Sequence, residues 1–439
     1  MKNVRQTALD VLTRCDRDGS YSNLALDAAI RGGEFSPADR GLLTTLVYGV
    51  IERRITLDHI IAQLSDRSLE QIDRAVINIL RLGLYQLRYL DRIPEHAAIH
   101  ESVSLAPRKS AGFVNAILRS YQRRGGKISF PAREDDLIAY LSVTYSFPTV
   151  LCARFLDIFG EERAERVLAA FAKQPPLVIR TNTLKNNREE LIAALNRLGN
   201  ETARECTMTD DGILLDNASP LREGVEKGLF FVQDNASHYC VRTLDAQPGD
   251  TVIDACCCPG SKSFGAAIDM QNRGRVICFD LHKNKLSLVE AGAKRLGISI
   301  LETDARDSRT YDPTLEGIAD RVLCDVPCSG YGVIAKKPEI RYKDPADSAA
   351  LPDIQLAILE NNARYVKPGG VLVYSTCTLL PEENEGNIAR FLERHPEFEP
   401  MPFAHGHETL SAPGGMLTLT PDVHGTDGFF IAKMRKKPL

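Results

Sequence analysis

The 439-residue chain contains no tryptophan, and no apolar run in it approaches the length that spans a bilayer. Its modules must therefore pack without an indole, and no membrane-spanning helix is expected. The N-terminal run Met1-Lys2-Asn3-Val4-Arg5-Gln6 leads into an amphipathic segment instead of an apolar signal core, so the expected compartment is the cytoplasm. There is no internal repeat, no low-complexity tract and no paired C-x-x-C. Eleven cysteines spread through so long a chain do not form the framework of a small secreted domain and are expected to stay reduced. Three of them, Cys256, Cys257 and Cys258, are consecutive, and adjacent residues cannot all turn toward one ion, so no metal is expected.

What is present is ordinary in bulk and uneven in detail. Hydrophobic residues make up 44% and charged residues 26%, as in a soluble globular protein with room for two or three cores. The net charge of −4 conceals an asymmetry. Residues 1–128 carry 19 Lys and Arg against 14 Asp and Glu, a net of +5, and leave 35 against 44 for the remainder. Sixteen of those 19 are arginine, whose planar fork suits phosphate oxygens.

Three modules follow from the patterning. Over residues 1–128 the apolar period is helical: Ser36 reads as an N-cap before Pro37, and Leu42, Leu43, Leu46, Val47, Val50 and Ile51 repeat on one face. Ile72, Val76, Ile77, Leu80, Leu84 and Leu87 form a second buried stripe. Arg53-Arg54, Arg119 and Arg123-Arg124 fall at helix ends or polar faces, giving this bundle a candidate RNA face. Gly125-Gly126 and Pro131 close it. Residues 129–232 read as a small α+β module, with a helix through Leu151–Phe171, a strand at Leu177-Val178-Ile179-Arg180, a helix through Glu189–Leu198 and short strands at 213–215 and 229–232. From 233 to 439, strands at 252–253, 276–279, 298–301, 322–323 and 371–373 alternate with segments long enough for crossover helices. That order predicts an α/β Rossmann-like domain, a parallel sheet covered on both faces, with an antiparallel edge strand from Gly428-Phe429-Phe430-Ile431.

In such a sheet, ligands bind beyond the carboxyl ends of the strands. The first strand ends in Asp254-Ala255-Cys256-Cys257-Cys258-Pro259-Gly260-Ser261-Lys262-Ser263. This turn has neither the G-x-G-x-x-G spacing of a dinucleotide site nor that of a Walker loop. Asp280, Asp304 and Asp325 close the next three strands, and carboxylates repeated along one rim favour a cationic or ribose-bearing ligand. The same rim receives Cys328, in Asp325-Val326-Pro327-Cys328-Ser329-Gly330, and Cys377, in Ser375-Thr376-Cys377-Thr378, so two thiols 49 residues apart could meet over the crevice.

These motifs resemble those of S-adenosylmethionine-dependent RNA cytosine-C5 methyltransferases, and the helical N-terminus, similar to the antitermination factor NusB, extends the resemblance to the RsmB/Fmu (Sun) family acting on small-subunit ribosomal RNA. The resemblance covers nearly the whole chain, with the Pro-Cys and Thr-Cys pair its most specific element. It implies S-adenosylmethionine as cofactor and ribosomal RNA as partner, with no membrane, no metal and no oligomer. Cytosine C5 is a poor nucleophile until a thiolate adds at C6. The resemblance assigns that thiolate to Cys377 and product release to Cys328. Asp325 would lie at the cytosine N3/N4 edge, Lys262 would sit beside the base or the thiol or else cap a helix surface, and the resemblance gives Asp280 to the ribose and Asp304 to the adenine. Cys256, Cys257, Cys258, Pro259, Gly260, Ser261 and Lys262 would wrap the cofactor, with Asp325 at its edge. The loop after Cys328 is similar to a substrate-side loop, in which Lys336, Lys337 and Arg341 would meet phosphate and Tyr331 would stack.

Two departures stand out. Ser261 occupies a position where the family has glycine, and Phe147-Pro148-Thr149-Val150-Leu151 stands where relatives carry Pro-x-Trp. The first leaves room for a second expectation, an RNA-binding assembly factor that keeps the fold but has weakened cofactor use.

Overall fold

The computed structural model describes residues 3–18, 22–173, 176–198, 203–216, 221–405 and 408–438. The chain divides into two packing units. One comprises Met1–Lys173 with Ile334–Lys343, and the other comprises Gln174–Val333 with Asp344–Leu439. The boundaries read at 128 and 232 do not coincide with this division. Helices Leu137–Tyr145, Thr149–Phe159 and Glu161–Phe171 belong to the first unit, and the small α+β sheet belongs to the second.

The first unit is helical. Ser36 caps Pro37–Glu52 by accepting from the Asp39 amide at 3.1 Å, as its sequence predicts. Both apolar stripes are core: Leu43, Leu46, Val47, Val50, Val76, Leu80 and Leu84 are all buried. The single helix expected through Leu151–Phe171 is two, broken at Gly160, whose φ of 72° leaves the helical region. No tryptophan is needed to pack this segment, because Phe147 is fully buried with its ring tilted against that of Phe171, centroids 6.5 Å apart. Arg53 and Arg54 are structural instead of phosphate-facing. Arg53 donates to the Ala172 carbonyl and lies over Tyr89, while Arg54 lies 3.8 Å from the Tyr342 ring. Arg119, Arg123 and Arg124 remain exposed.

The second unit holds an antiparallel sheet of order β2-β3-β1-β4, built from β1 (Leu177–Thr181), β2 (Arg204–Glu205), β3 (Gly212–Leu215) and β4 (Phe230–Val232). Its larger sheet contains β5 (Thr251–Asp254), β6 (Arg275–Asp280), β7 (Leu301–Ala305), β8 (Ala319–Asp325), β9 (Val366–Thr376) and β10 (Phe398–Pro400). After a short pair, β11 (Phe403–Ala404) and β12 (Ser411–Ala412), come β13 (Met416–Leu419) and β14 (Phe429–Lys436). The order is β10-β14-β9-β8-β5-β6-β7, parallel from β9 to β7, with β14 antiparallel to β9 as expected. β13 and β10 cover two halves of β14, so that strand exposes little free edge.

Central strands are apolar on both faces because helices cover both. Val252 and Ile253, and likewise Leu372 and Val373, are buried in two separate clusters on opposite sides of the sheet. β7 starts three residues later than its apolar run suggested. Ile298 is spent on the core just after the helix cap at Gly297, and the strand itself is the polar edge Leu301-Glu302-Thr303-Asp304-Ala305.

Candidate active site

The parallel strands all point their carboxyl ends to one side, and the residues that follow them build the site. β5 delivers Asp254, fully buried, to a hydrogen bond from Ser263 Oγ at 2.6 Å. Burial raises the Asp254 pKa to about 6 despite that bond. The turn from Ala255 to Gly260 then enters the helix Ser261–Asp269. Gly260 has φ of 109°, and a Cβ there would sit 2.5 Å from the Phe264 ring, so the backbone must be bare at this point. Ser261 is the first helical residue with no left-handed backbone, so the feared strain falls on Gly260, which is glycine.

The three adjacent cysteines diverge. Cys257 is buried in the core with its thiol bonded toward Cys278, and that bond together with burial pushes its pKa up. Cys256 and Cys258 are likewise held protonated by burial. The Cys258-Pro259 peptide is cis.

On the neighbouring strand end, Asp280 accepts from the His282 amide at 2.8 Å. One register step across, Asp304 pairs with Phe279, and its carboxylate is held by Arg306 at 2.6 Å. Arg306 also reaches Asp312 and lies over Phe279. Asp304 is thus on the rim but already partnered. These groups fit a sulfonium nucleoside: a bare turn and a half-buried helix start for the amino-acid portion, and rim carboxylates for hydroxyls and positive charge.

The four residues singled out for chemistry meet at the ends of β8 and β9. Lys262 Nζ is 2.7 Å from Asp325 Oδ2, and Ser375 Oγ donates to Asp325 Oδ1 at 2.8 Å. Lys262 also lies 5.2 Å from the centre of the Phe429 ring. Burial alone would lower its pKa, but Asp325, with Cys240 and Cys377 nearby, outweighs that and holds the ammonium charged. Cys328 Sγ and Cys377 Sγ are 3.2 Å apart. Their proton is unequally shared. The bond from Cys328 and the charge of Lys262 lower the Cys377 pKa against the effect of burial, whereas the same bond and burial raise that of Cys328.

Two buried residues that sequence reasoning missed hold this pair. Glu383, 1% exposed, accepts from the Ser329 amide at 3.0 Å and from Gln355 Nε2 at 2.7 Å, tying down the loop after Cys328. Asn384 accepts from Thr376 Oγ1 at 2.5 Å and donates to the Thr378 carbonyl at 3.1 Å, bracketing Cys377. The signal was the acidic run Pro381-Glu382-Glu383-Asn384 directly after the second cysteine, which reads as a solvated loop until its burial is known.

The loop after Cys328 corrects two expectations. Tyr331 is fully buried and presents no face to a base. Arg341 is fully buried within the helical unit, donating to the carbonyls of Glu52 at 2.8 Å and Ser146 at 3.1 Å and lying over Phe147. It serves backbone carbonyls, not phosphate. Lys336 and Lys337 are exposed. Among the described residues no three His, Cys, Asp or Glu side chains converge on a metal position, and no helix is long and apolar enough to cross a membrane.

The sheet order, the strand-end crevice and the helical partner unit define a Rossmann-like methyltransferase joined to a NusB-like bundle. The model of 16S rRNA methyltransferase RsmB/F matches residues 241–435, that of the NusB family residues 2–123, and that of the ferredoxin-like domain of RsmF/B-like methyltransferases residues 147–222. A probable ribosomal RNA small subunit methyltransferase B of Bacillus subtilis is 39% identical over 99% of both chains. Its counterpart from Klebsiella pneumoniae is 32% identical over 92% of this chain and 91% of its own. Among solved structures, PH0851 superposes with a TM-score of 0.81 at 26% identity over 99% of each chain, and a methyltransferase homologue from Pyrococcus horikoshii with 0.60 at 30% identity over 69% of this chain and 99% of its own. The chain belongs to the ribosomal RNA small subunit methyltransferase B family.

Proposed function

We propose that this methyltransferase modifies C5 of a cytosine in 16S ribosomal RNA through a covalent bond between Cys377 and C6. The observation that carries the reading is the thiol pair, 3.2 Å apart with one pKa lowered and the other raised, set beside a charged Lys262–Asp325 pair. S-adenosylmethionine, held by residues 256–262 with Asp280 and Asp304, would supply an electrophilic methyl group.

The protein's own groups account for the remaining steps. The target cytosine must leave its stack to reach a crevice of this kind, so the site on RNA is a loop or an opened helix. The Cys377 thiolate adds to C6, and the electron pair displaced onto the ring makes C5 nucleophilic. Negative charge building toward N3 is met by the Lys262 ammonium, while the Asp325 carboxylate, oriented by Ser375 and Lys262, accepts from the cytosine N4 amino group. After transfer, C5 bears both methyl and hydrogen. Loss of that proton to a base restores the C5–C6 double bond as the C6–S bond breaks, and the 3.2 Å approach of Cys328 to Cys377 supports a part for Cys328 in this release. The reading in which Ser261 has cost the chain its cofactor draws no support from the backbone, since the left-handed position is at Gly260.

Transfer of labelled methyl to unmodified 16S RNA tests the proposal. Incorporation at a cytosine C5 should be abolished in Cys377→Ala with cofactor binding kept. Cys328→Ala should accumulate an RNA–protein adduct visible as a retarded band on a denaturing gel. Undiminished turnover by Cys377→Ala, or no adduct in Cys328→Ala while RNA is bound, would overturn the assigned roles.

A further inference from the structure

The helical unit contains a cavity of about 400 Å³, within the range of small-ligand sites. It opens between the C-terminal ends of helices Arg74–Tyr89 and Arg108–Arg123 and the start of Glu95–Leu105. Its wall is aromatic and cationic. Arg88 donates to the Tyr121 hydroxyl at 3.3 Å, and its guanidinium lies 5.7 Å from the Tyr89 ring and 5.3 Å from that of Phe130. Its opposite lip is backbone. Gly125 and Gly126, with φ of 59° and 71°, turn the chain past the opening, and nothing lies within 4 Å of where a Gly125 side chain would begin.

At one end of the cavity stands a chain of polar groups. Arg119 donates to Gln122 Oε1 at 2.9 Å, and Gln122 Nε2 donates to Glu95 Oε2 at 2.7 Å. Glu95 is exposed and lines the opening. Around the mouth, Arg119, Arg123, Arg124 and Lys127 are all exposed. A cleft lined by aromatic rings and a guanidinium, with a hydrogen-bonding end and a cationic rim, offers what an unstacked nucleotide requires.

The donor pattern narrows the base. On the Watson–Crick edge, guanine offers two adjacent N–H donors, N1 and N2, to a carboxylate, and its O6 accepts from a cation, whereas uracil and adenine lack the paired donors. We infer that this cavity binds a single-stranded guanine of the RNA, with Glu95 reading its N1 and N2 edge, Arg88 and Tyr89 stacking on its plane, and the arginine rim holding the flanking phosphates. The inference rests on the reading of the substrate as ribosomal RNA and adds to it a point of sequence recognition in the helical unit, separate from the thiols.

The test is anisotropy titration of the full chain with short single-stranded RNAs of A and U, one carrying a central guanosine, one inosine at that place and one neither. The guanosine RNA should bind about tenfold more tightly than the A/U RNA, and inosine, which lacks the N2 amino group, should lose much of that preference. Glu95→Gln, a surface change, should abolish the preference, while Arg124→Gln should weaken all three RNAs alike and reduce the salt slope by about one. Equal binding of the three RNAs by the parent, or a preference that survives Glu95→Gln, overturns the inference. Methyl transfer to 16S RNA, measured in parallel, tells the two readings apart, because the catalytic reading can fail there with the guanosine preference intact.

Discussion

At Cys377 two neighbours act on one proton. The hydrogen bond with the Cys328 thiol and the ammonium of Lys262 both favour its anion, so its pKa lies below that of an ordinary cysteine although it is buried. Removing either neighbour should raise it. We expect alkylation of Cys377 by iodoacetamide, followed against pH by peptide mass spectrometry, to move to higher pH in Cys328→Ala and again in Lys262→Met. An unchanged profile in both would show that the anion is stabilised elsewhere. The positions of these two cysteines were legible in the sequence because strand ends are marked by apolar runs. Their unequal protonation was not, since it depends on a 3.2 Å approach across 49 residues.

At the level of elements, the loops after β8 and β9 are held by a buried carboxylate. Glu383 binds the Ser329 amide and Gln355, and Gln355 in turn donates to the Pro327 carbonyl. Glu383→Ala should lower kcat roughly a hundredfold through misplacement of Cys328, with cofactor affinity unchanged by calorimetry. A second buried element joins the small sheet to the crevice helix. Arg180 on β1 bonds Asp211 at 3.0 Å and Asp269, in that helix, at 2.6 Å, and His238 lies 2.6 Å from Asp211. Burial, reinforced by Arg180, lowers the His238 pKa to about 4, so in the folded state the ring is neutral at pH values where the unfolded chain takes up a proton. The unfolded state then binds more protons between about pH 6.5 and 4, and stability falls as pH drops through that window. Urea titrations should show this loss, on the order of a few kcal/mol, reduced in His238→Asn. Sequence patterning found β1 and the crevice helix correctly but could not announce the link, because a lone arginine in a strand carries no period.

On the scale of the molecule, the order of modules was legible because each has its own hydrophobic period, 3.6 in the bundle and strand–helix alternation afterwards. The division of the chain was not. Ile334–Lys343 follows Cys328 in sequence, yet packs in the helical unit: Ser22 donates to Glu339, Tyr342 donates to the Ile51 carbonyl, and Arg341 is wholly enclosed. A basic loop on paper thus becomes a buried plug. Arg341→Ala should destabilise the helical unit by about 2–4 kcal/mol, since two carbonyls lose their donor and a cavity opens, and hydrogen exchange across Pro37–Glu52 should report it. Exchange there indistinguishable from the parent would show the plug to be dispensable. The same plug bears on how the protein is made. The bundle is the first part of the chain to leave the ribosome, but its last piece is encoded some 170 residues after Lys173. At ordinary elongation rates that is a wait of roughly ten to thirty seconds with the Arg341 berth unfilled. The N-terminal unit must therefore mature after much of the catalytic sheet has been synthesised, and a fragment cut at Lys173 would be born without its final core residue.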